Sequence, residues 1–167
     1  MEAALSVSER DGFDRLSMRV LARELDASPM SLYRHVVDKD DLLDGVVERL
    51  LDELELPDPS LPWEQRLRSL AGELRALARR RPAAFGLLLQ RRAAGSGATR
   101  ARAAALEALR DAGLSAHEAA RFERLLSTLV MGFAFSEAAG RFEGIDVDEE
   151  FDAALDLLAH TLPDGTR

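Results

Sequence analysis

Tyr33, Arg34, His35 and Lys39 are the residues of this chain best placed for chemistry, and the chemistry they suit is contact with phosphate. Phenol, guanidinium, imidazole and ammonium groups all donate to phosphate oxygens, and such contacts fix the register of a protein on a duplex. Lys39 is the only lysine among 22 Lys+Arg residues, a bias that points to a GC-rich genome and makes a lysine at a helix start notable. Just upstream lie residues suited to base edges. Ser28 and Ser31 can exchange hydrogen bonds with a base, and Pro29 and Met30 can touch a thymine methyl. Ser17 and Arg19 precede them, and Arg19 is suited to a phosphate or a guanine. No rival cluster points to catalysis. His35, His117 and His160 are far apart and lack acidic neighbours at metal-ligand spacing. There is no cysteine and no glycine-rich loop after a strand, so no catalytic residue, metal or cofactor is expected.

Those residues need a scaffold, and the local sequence supplies one. Residues 3–10 read as the end of a helix stopped at Gly12. Ser17 is a helix cap, and Met18, Leu21, Ala22 and Leu25 recur at helical spacing. Asp26-Ala27 makes a turn. Ser28-Pro29 pairs a cap with proline at the first helical position, which starts a second short helix running to about Val36. Asp38 caps a third helix, with Asp40 and Asp41 at the positive end of its dipole. Two short helices joined by a tight turn hold the second one outward, where it can enter a major groove.

The stretch LSMRVLARELDASPMSLYRHVVDKDDLL resembles the helix-turn-helix of the TetR family of transcriptional regulators. The resemblance implies DNA contacts at Ser17, Arg19, Ser28, Pro29, Met30, Ser31, Tyr33 and His35, with Arg34 beside them and Lys39 on phosphate. It also implies a variable helical domain that dimerises through its last two long helices and binds an inducer whose arrival releases DNA. The Pro62-Trp63 start and the Arg81-Pro82 break are similar to the tetracycline-repressor-like branch of C-terminal domains. Two positions depart from the family pattern. Asp26 stands where glycine is usual, and aspartate tolerates the left-handed conformation moderately well. The chain also opens at Met1-Glu2, inside its first helix and without a basic arm, which would weaken the grip on phosphate.

Composition frames these readings. The net charge of −8 disfavours sequence-independent nucleic-acid binding. The first 49 residues share that balance, with seven basic and eleven acidic residues. Any DNA contact must therefore rest on a local patch around Arg19, Arg34 and Lys39, with Asp40, Asp41, Asp44 and Glu48 facing elsewhere. A hydrophobic content of 47% is ample for a core. The longest uncharged stretch, residues 125–136, is too short to span a bilayer. No signal peptide is legible, and a cytoplasmic location with no membrane partner is expected.

The PDPSLP segment at residues 57–62 marks a boundary, dividing a helix-turn-helix domain at 1–56, its first helix apparently truncated, from a helical domain at 62–167. Helices are expected over 63–81, 83–90, 99–112, 115–139 and 148–162, with a loop at Gly95-Ser96-Gly97. No stretch alternates with period two, so the fold class is all-α with about nine helices. Residues 125–136 are apolar on every face of their helix, which calls for cover on every face. One side is expected to meet a second subunit through Gly132, Ser136 and Gly140, joined by Phe151, Leu155, Leu158 and Leu162 of the last helix in a four-helix homodimer interface. The other side, with Phe122, Leu126, Val130 and Phe133, is expected to line a small-molecule site with Trp63, Phe85, Leu88, Leu89, Leu106 and Leu109. Gln90, Arg92, Arg121, Ser127 and Thr128 are its candidate polar groups. The function expected is a homodimeric repressor that binds double-stranded DNA at a palindromic operator and is released by a small-molecule effector. The alternative is a helical dimer that binds a small molecule or protein but no DNA, because its N-terminus is short.

Overall fold

A computed structural model of the protein describes residues 1–91 and 95–162, and every regular element among them is helical. In chain order these are α1 (Glu2–Asp11), α2 (Met18–Glu24), α3 (Pro29–Leu32), α4 (Lys39–Leu51), α5 (Trp63–Arg80), α6 (Pro82–Leu88), α7 (Ser96–Asp111), α8 (Ala116–Ala138) and α9 (Val147–Ala159).

Local chemistry sets most of the boundaries. Ser17 caps α2 by accepting from Val20 N, Ser28 caps α3 by accepting from Ser31 N, and Asp38 caps α4 by accepting from Asp41 N. At α8, Ser115 and Glu118 form a reciprocal capping box. Asp146 caps α9, which therefore starts one residue before the position read from the sequence. Helix α2 closes with Asp26 at φ 48°, the one non-glycine residue in the left-handed region among those described. Ala27 N donates to Ala22 O at 2.8 Å across that turn, as in a Schellman motif. Two expectations change. Helix α3 is a single turn, continued to Val36 only by irregular turns in which His35 N and Val36 N both donate to Leu32 O. Of the expected Gly95-Ser96-Gly97 loop only Gly95 stays outside a helix, because α7 begins at Ser96. Gly97 sits there against backbone: a Cβ would lie 2.7 Å from Leu51 C and 2.8 Å from Asp52 N.

The described chain forms two compact units, one of Met1–Glu53 and Arg80–Ala98, the other of Leu54–Arg79 and Thr99–Arg167. The break expected at residues 57–62 lies near the chain's first crossing, but the chain crosses back, so α6 belongs with α1 to α4. The first unit buries Leu5, Val7, Leu16, Leu42, Val46, Leu50 and Phe85. Helix α6 packs on α1 and α4, and the Glu9 carboxylate accepts from Ala83 N and Ala84 N, so α1 caps the start of α6. The second unit closes around Leu67, Ala71, Leu109, Phe122, Leu126, Val130, Phe151 and Leu155. Among the described residues no helix is long and apolar enough to cross a membrane.

Candidate nucleic-acid interface and apolar cleft

The helix-turn-helix is assembled by α2 and α3, and its outward face holds the residues singled out from sequence. Leu21, Ala22, Leu32 and Val36 are buried beneath it. Arg19, Ser28, Pro29, Arg34, His35 and Lys39 are exposed, and Met30 and Tyr33 are 77% and 52% exposed. Met30 and Tyr33 thus leave apolar surface in water next to these polar and charged groups. Ser17 and Ser28 are engaged as caps, and Ser31 Oγ donates to Ser28 O at 2.6 Å. The two α3 serines thus hold the turn, and Ser31 keeps acceptor capacity for a base donor. Lys39 Nζ donates to Phe13 O at 3.3 Å, which tethers the α4 start to the α1–α2 connection. Arg10 makes a two-pronged ion pair with Glu24, fastening α1 to α2 and holding the Glu24 carboxyl below its ordinary range.

One exposed residue of this face escaped the sequence reading. Val37 is 79% exposed beside Tyr33 and His35, and its N–H donates to Asp41 at 2.8 Å. The signal was available, because the apolar stripe of α4 begins only at Leu42 and leaves Val37 without a core position.

The second unit holds a cleft of about 280 Å³ where α5 begins and α9 ends. Its floor is apolar, with Trp63, Leu67, Phe122, Leu126, Leu155 and Leu158, and its rim carries Glu64, His160 and the Arg68–Asp156 ion pair. Of the ten residues expected to line a ligand site, Trp63, Phe122 and Leu126 meet here. Leu109 and Val130 are buried in the core of this unit, and Leu106 is partly buried against it; none of the three lines this cleft. Phe133 stacks on Phe142 and Phe151 at 4.6 and 5.0 Å. Phe85, Leu88 and Leu89 do not line this cleft: they belong to α6 and its C-cap in the first unit, with Phe85 and Leu88 buried and Leu89 exposed. Ser127 and Thr128 donate back to Arg124 O on their own helix. Gln90 and Arg121 are exposed, and Arg92 lies outside the described residues.

The expected dimer residues are also redistributed. Phe151 and Leu155 are buried inside the second unit, and Leu158 and Leu162 are partly buried against that core. Gly140 is a left-handed helix stop at φ 70°, with Arg141 N donating to Ser136 O. Gly132 is exposed, and it lies on a stripe of α8 with Leu125, Thr128 and Phe135, all exposed at three- and four-residue spacing. Leu157, 73% exposed, is the corresponding residue of α9. Leu125, Phe135 and Leu157 went unread because amphipathic spacing identifies two faces of a helix without saying which one the protein covers itself.

Comparisons with known proteins fit this architecture. Residues 1–46 match the family described as bacterial regulatory proteins, tetR family, and residues 67–160 match the tetracyclin repressor-like C-terminal domain. The chain is 33% identical over 86% of its length to an HTH-type transcriptional regulator of Saccharopolyspora erythraea, covering 61% of that protein. It is 30% identical over 99% of its length to the HTH-type transcriptional repressor DrrR1 of Streptomyces coeruleorubidus, covering 63% of it. The chain thus spans about three fifths of the length of these curated relatives. Among solved structures, ActR of Streptomyces coelicolor in complex with actinorhodin superposes with a TM-score of 0.84 at 26% identity, covering 95% of this chain and 92% of that one.

Proposed function

This chain belongs to the TetR family, and from that premise we propose that it is a transcriptional repressor that binds a palindromic operator as a homodimer and releases it when a small molecule fills the second unit. The observation that carries the DNA reading is the outward face of the helix-turn-helix. Met30 and Tyr33 stand in solvent beside Arg19, Arg34, His35 and Lys39, on a scaffold that buries Leu21, Ala22, Leu32 and Val36. In this reading α3 enters the major groove, Pro29, Met30 and Ser31 meet base edges, and Tyr33, His35 and Lys39 meet phosphates.

Support for the homodimer comes from the exposed stripe of Leu125, Gly132 and Phe135 on α8 with Leu157 on α9. A twofold axis through that stripe would present two reading heads to two half-sites. Support for an effector comes from the apolar cleft at Trp63, Phe122 and Leu126, and from a relative whose structure holds actinorhodin. The ligand acts by favouring one of two conformations of the dimer, only one of which fits the operator.

The test is fluorescence anisotropy of the protein on a duplex from its own upstream intergenic DNA, titrated with salt beside a scrambled duplex. Binding stronger than to the scrambled control, lost on Tyr33→Ala while the dimer persists in light scattering, is the expected result. Equal weak affinity for both duplexes, unchanged by Tyr33→Ala, defeats the proposal.

A further inference from the structure

Four carboxylates crowd the start of α4, where Lys39 is assigned to phosphate: Asp38, Asp40, Asp41 and Asp44. A DNA-binding surface gains nothing from them, because each repels the phosphates its neighbours attract. Two are used locally. Asp38 accepts from Asp41 N at 2.9 Å, and Asp41 accepts from Val37 N at 2.8 Å. The other two are held by one residue from far along the chain. Arg91 donates through Nε to Asp44 at 2.5 Å, through one terminal nitrogen to Asp40 at 3.1 Å, and through the other to Asp40 O at 3.0 Å. Its side chain is 20% exposed, whereas those of Asp40 and Asp44 are 80% and 57% exposed.

Here the carboxylates stand in water, where an ion pair adds little stability. What the arrangement changes is the field: the outer part of the α4 start carries one negative charge instead of two, beside the single lysine of the chain. We propose that Arg91 is an electrostatic mask, a residue that raises DNA affinity without touching DNA by cancelling charge at Asp40 and Asp44. The proposal rests on the DNA-binding reading and adds to it a determinant outside the helix-turn-helix. A mask acts on the potential and not on base edges, so it strengthens specific and non-specific binding alike.

The experiment compares wild type, Arg91→Ala, Arg91→Lys, Asp40→Asn/Asp44→Asn and the triple variant carrying Arg91→Ala with both asparagines. Each is titrated by anisotropy against the upstream intergenic duplex and a scrambled duplex at several salt concentrations. Arg91→Ala is expected to weaken binding to both duplexes by about three- to tenfold at low salt, with the gap closing as salt screens the exposed carboxylates. Arg91→Lys keeps the charge but not the fork, and should stay within about twofold of wild type. The triple variant should recover wild-type affinity or exceed it.

Arg91→Ala binding like wild type at low salt overturns the mask. So does a triple variant as weak as Arg91→Ala, since a lost brace is not restored by neutral side chains. If Arg91→Ala fails to fold, Arg91→Lys decides: affinity lost with the charge retained means that geometry matters and the mask is wrong. Failure of the DNA-binding reading gives a different pattern, in which wild type binds neither duplex at any salt and Tyr33→Ala changes nothing.

Discussion

Arg75 is one of two buried arginines among the described residues, and removing it tests how the second unit is held. It lies on α5 with its side chain 9% exposed, and it grips Glu137 near the end of α8 through a two-pronged pair at 2.6 and 2.8 Å. Asp148 at the start of α9 joins at 2.8 Å. The guanidinium also lies over Phe151 and Phe133, at 4.8 and 5.6 Å from the ring centroids. Glu137 and, more weakly, Asp148 hold the guanidinium charged against its burial. Arg75→Met keeps an apolar stem between the rings and deletes only the charge. Asp148 is 78% exposed, and its loss of a partner costs at most about 1 kcal/mol. Glu137 is only 15% exposed and would keep only the outlying Arg79 at 4.0 Å, so losing Arg75 there costs about 1–2 kcal/mol, less than breaking a fully buried pair. The cation–π contacts add about 0.5–1 kcal/mol. The expected total is about 3 kcal/mol, or roughly 6–12 °C in melting temperature for a chain of this size. Urea unfolding followed by circular dichroism measures it. The control is Arg75→Met/Glu137→Met, which removes both charges and should regain at least half of the loss, because a buried pair replaced by apolar groups is close to neutral. A single-variant loss below about 1 kcal/mol, or a double variant as unstable as the single, refutes the reasoning: the stability would then come from packing and not from a stranded carboxylate.

Four further outcomes follow from particular contacts. Asp26 sits at φ 48°, so Asp26→Gly should stabilise by up to about 1 kcal/mol and Asp26→Val should destabilise by about 1 kcal/mol or more, read from urea midpoints. Gly97→Ala drives a Cβ into the α4 backbone at Leu51 and Asp52, and should cost about 1–3 kcal/mol in the same assay. Leu157→Glu should yield a folded monomer by light scattering if α9 meets a second subunit, whereas Leu155→Glu buries a charge and should abolish folding. The Glu118 carboxyl accepts from the Ser115 hydroxyl and backbone N–H, which lower its pKa below the ordinary value of 4.5. Its contribution to stability is therefore complete above that value and fades as pH falls through the depressed one. Glu118→Gln should flatten the acid side of the melting-temperature profile; an unaltered acid limb would show that the box contributes nothing.

Much of the helix-turn-helix was legible because its determinants are local. Ser17, Ser28 and Asp38 announce their helices through their own cap chemistry, and the outward exposure of Met30 and Tyr33 follows from burying Leu21, Ala22 and Leu32. What escaped was non-local. Phe85 and Leu88 lie on an apolar helix that Glu9 caps from 74 residues away, a contact within the first unit that no local pattern announces. Phe151 and Leu155 form as good an interface stripe as any, but the stripe that remains in water is the one with Leu157. Hydrophobic periodicity locates a face; only the packing partner says whether a subunit or the chain itself covers it.

The acidic balance of the first 49 residues is the clearest case of a composition argument corrected by geometry. Counted along the chain, seven basic against eleven acidic residues speaks against DNA. Placed in the fold, Glu24 is held by Arg10, Asp38 and Asp41 by backbone donors, and Asp40 and Asp44 by Arg91. Glu9 is turned to the start of α6, where its charge meets the positive end of a helix. Arg19 and Arg34 stand exposed and Lys39 is tethered only to a neutral carbonyl, so the outward face retains its cations while six of the carboxylates are engaged in the scaffold; Asp14 and Asp26 stay exposed beside them. Net charge governs long-range approach, but at contact only the unneutralised groups within about one Debye length of the phosphates count, roughly 8 Å at physiological salt.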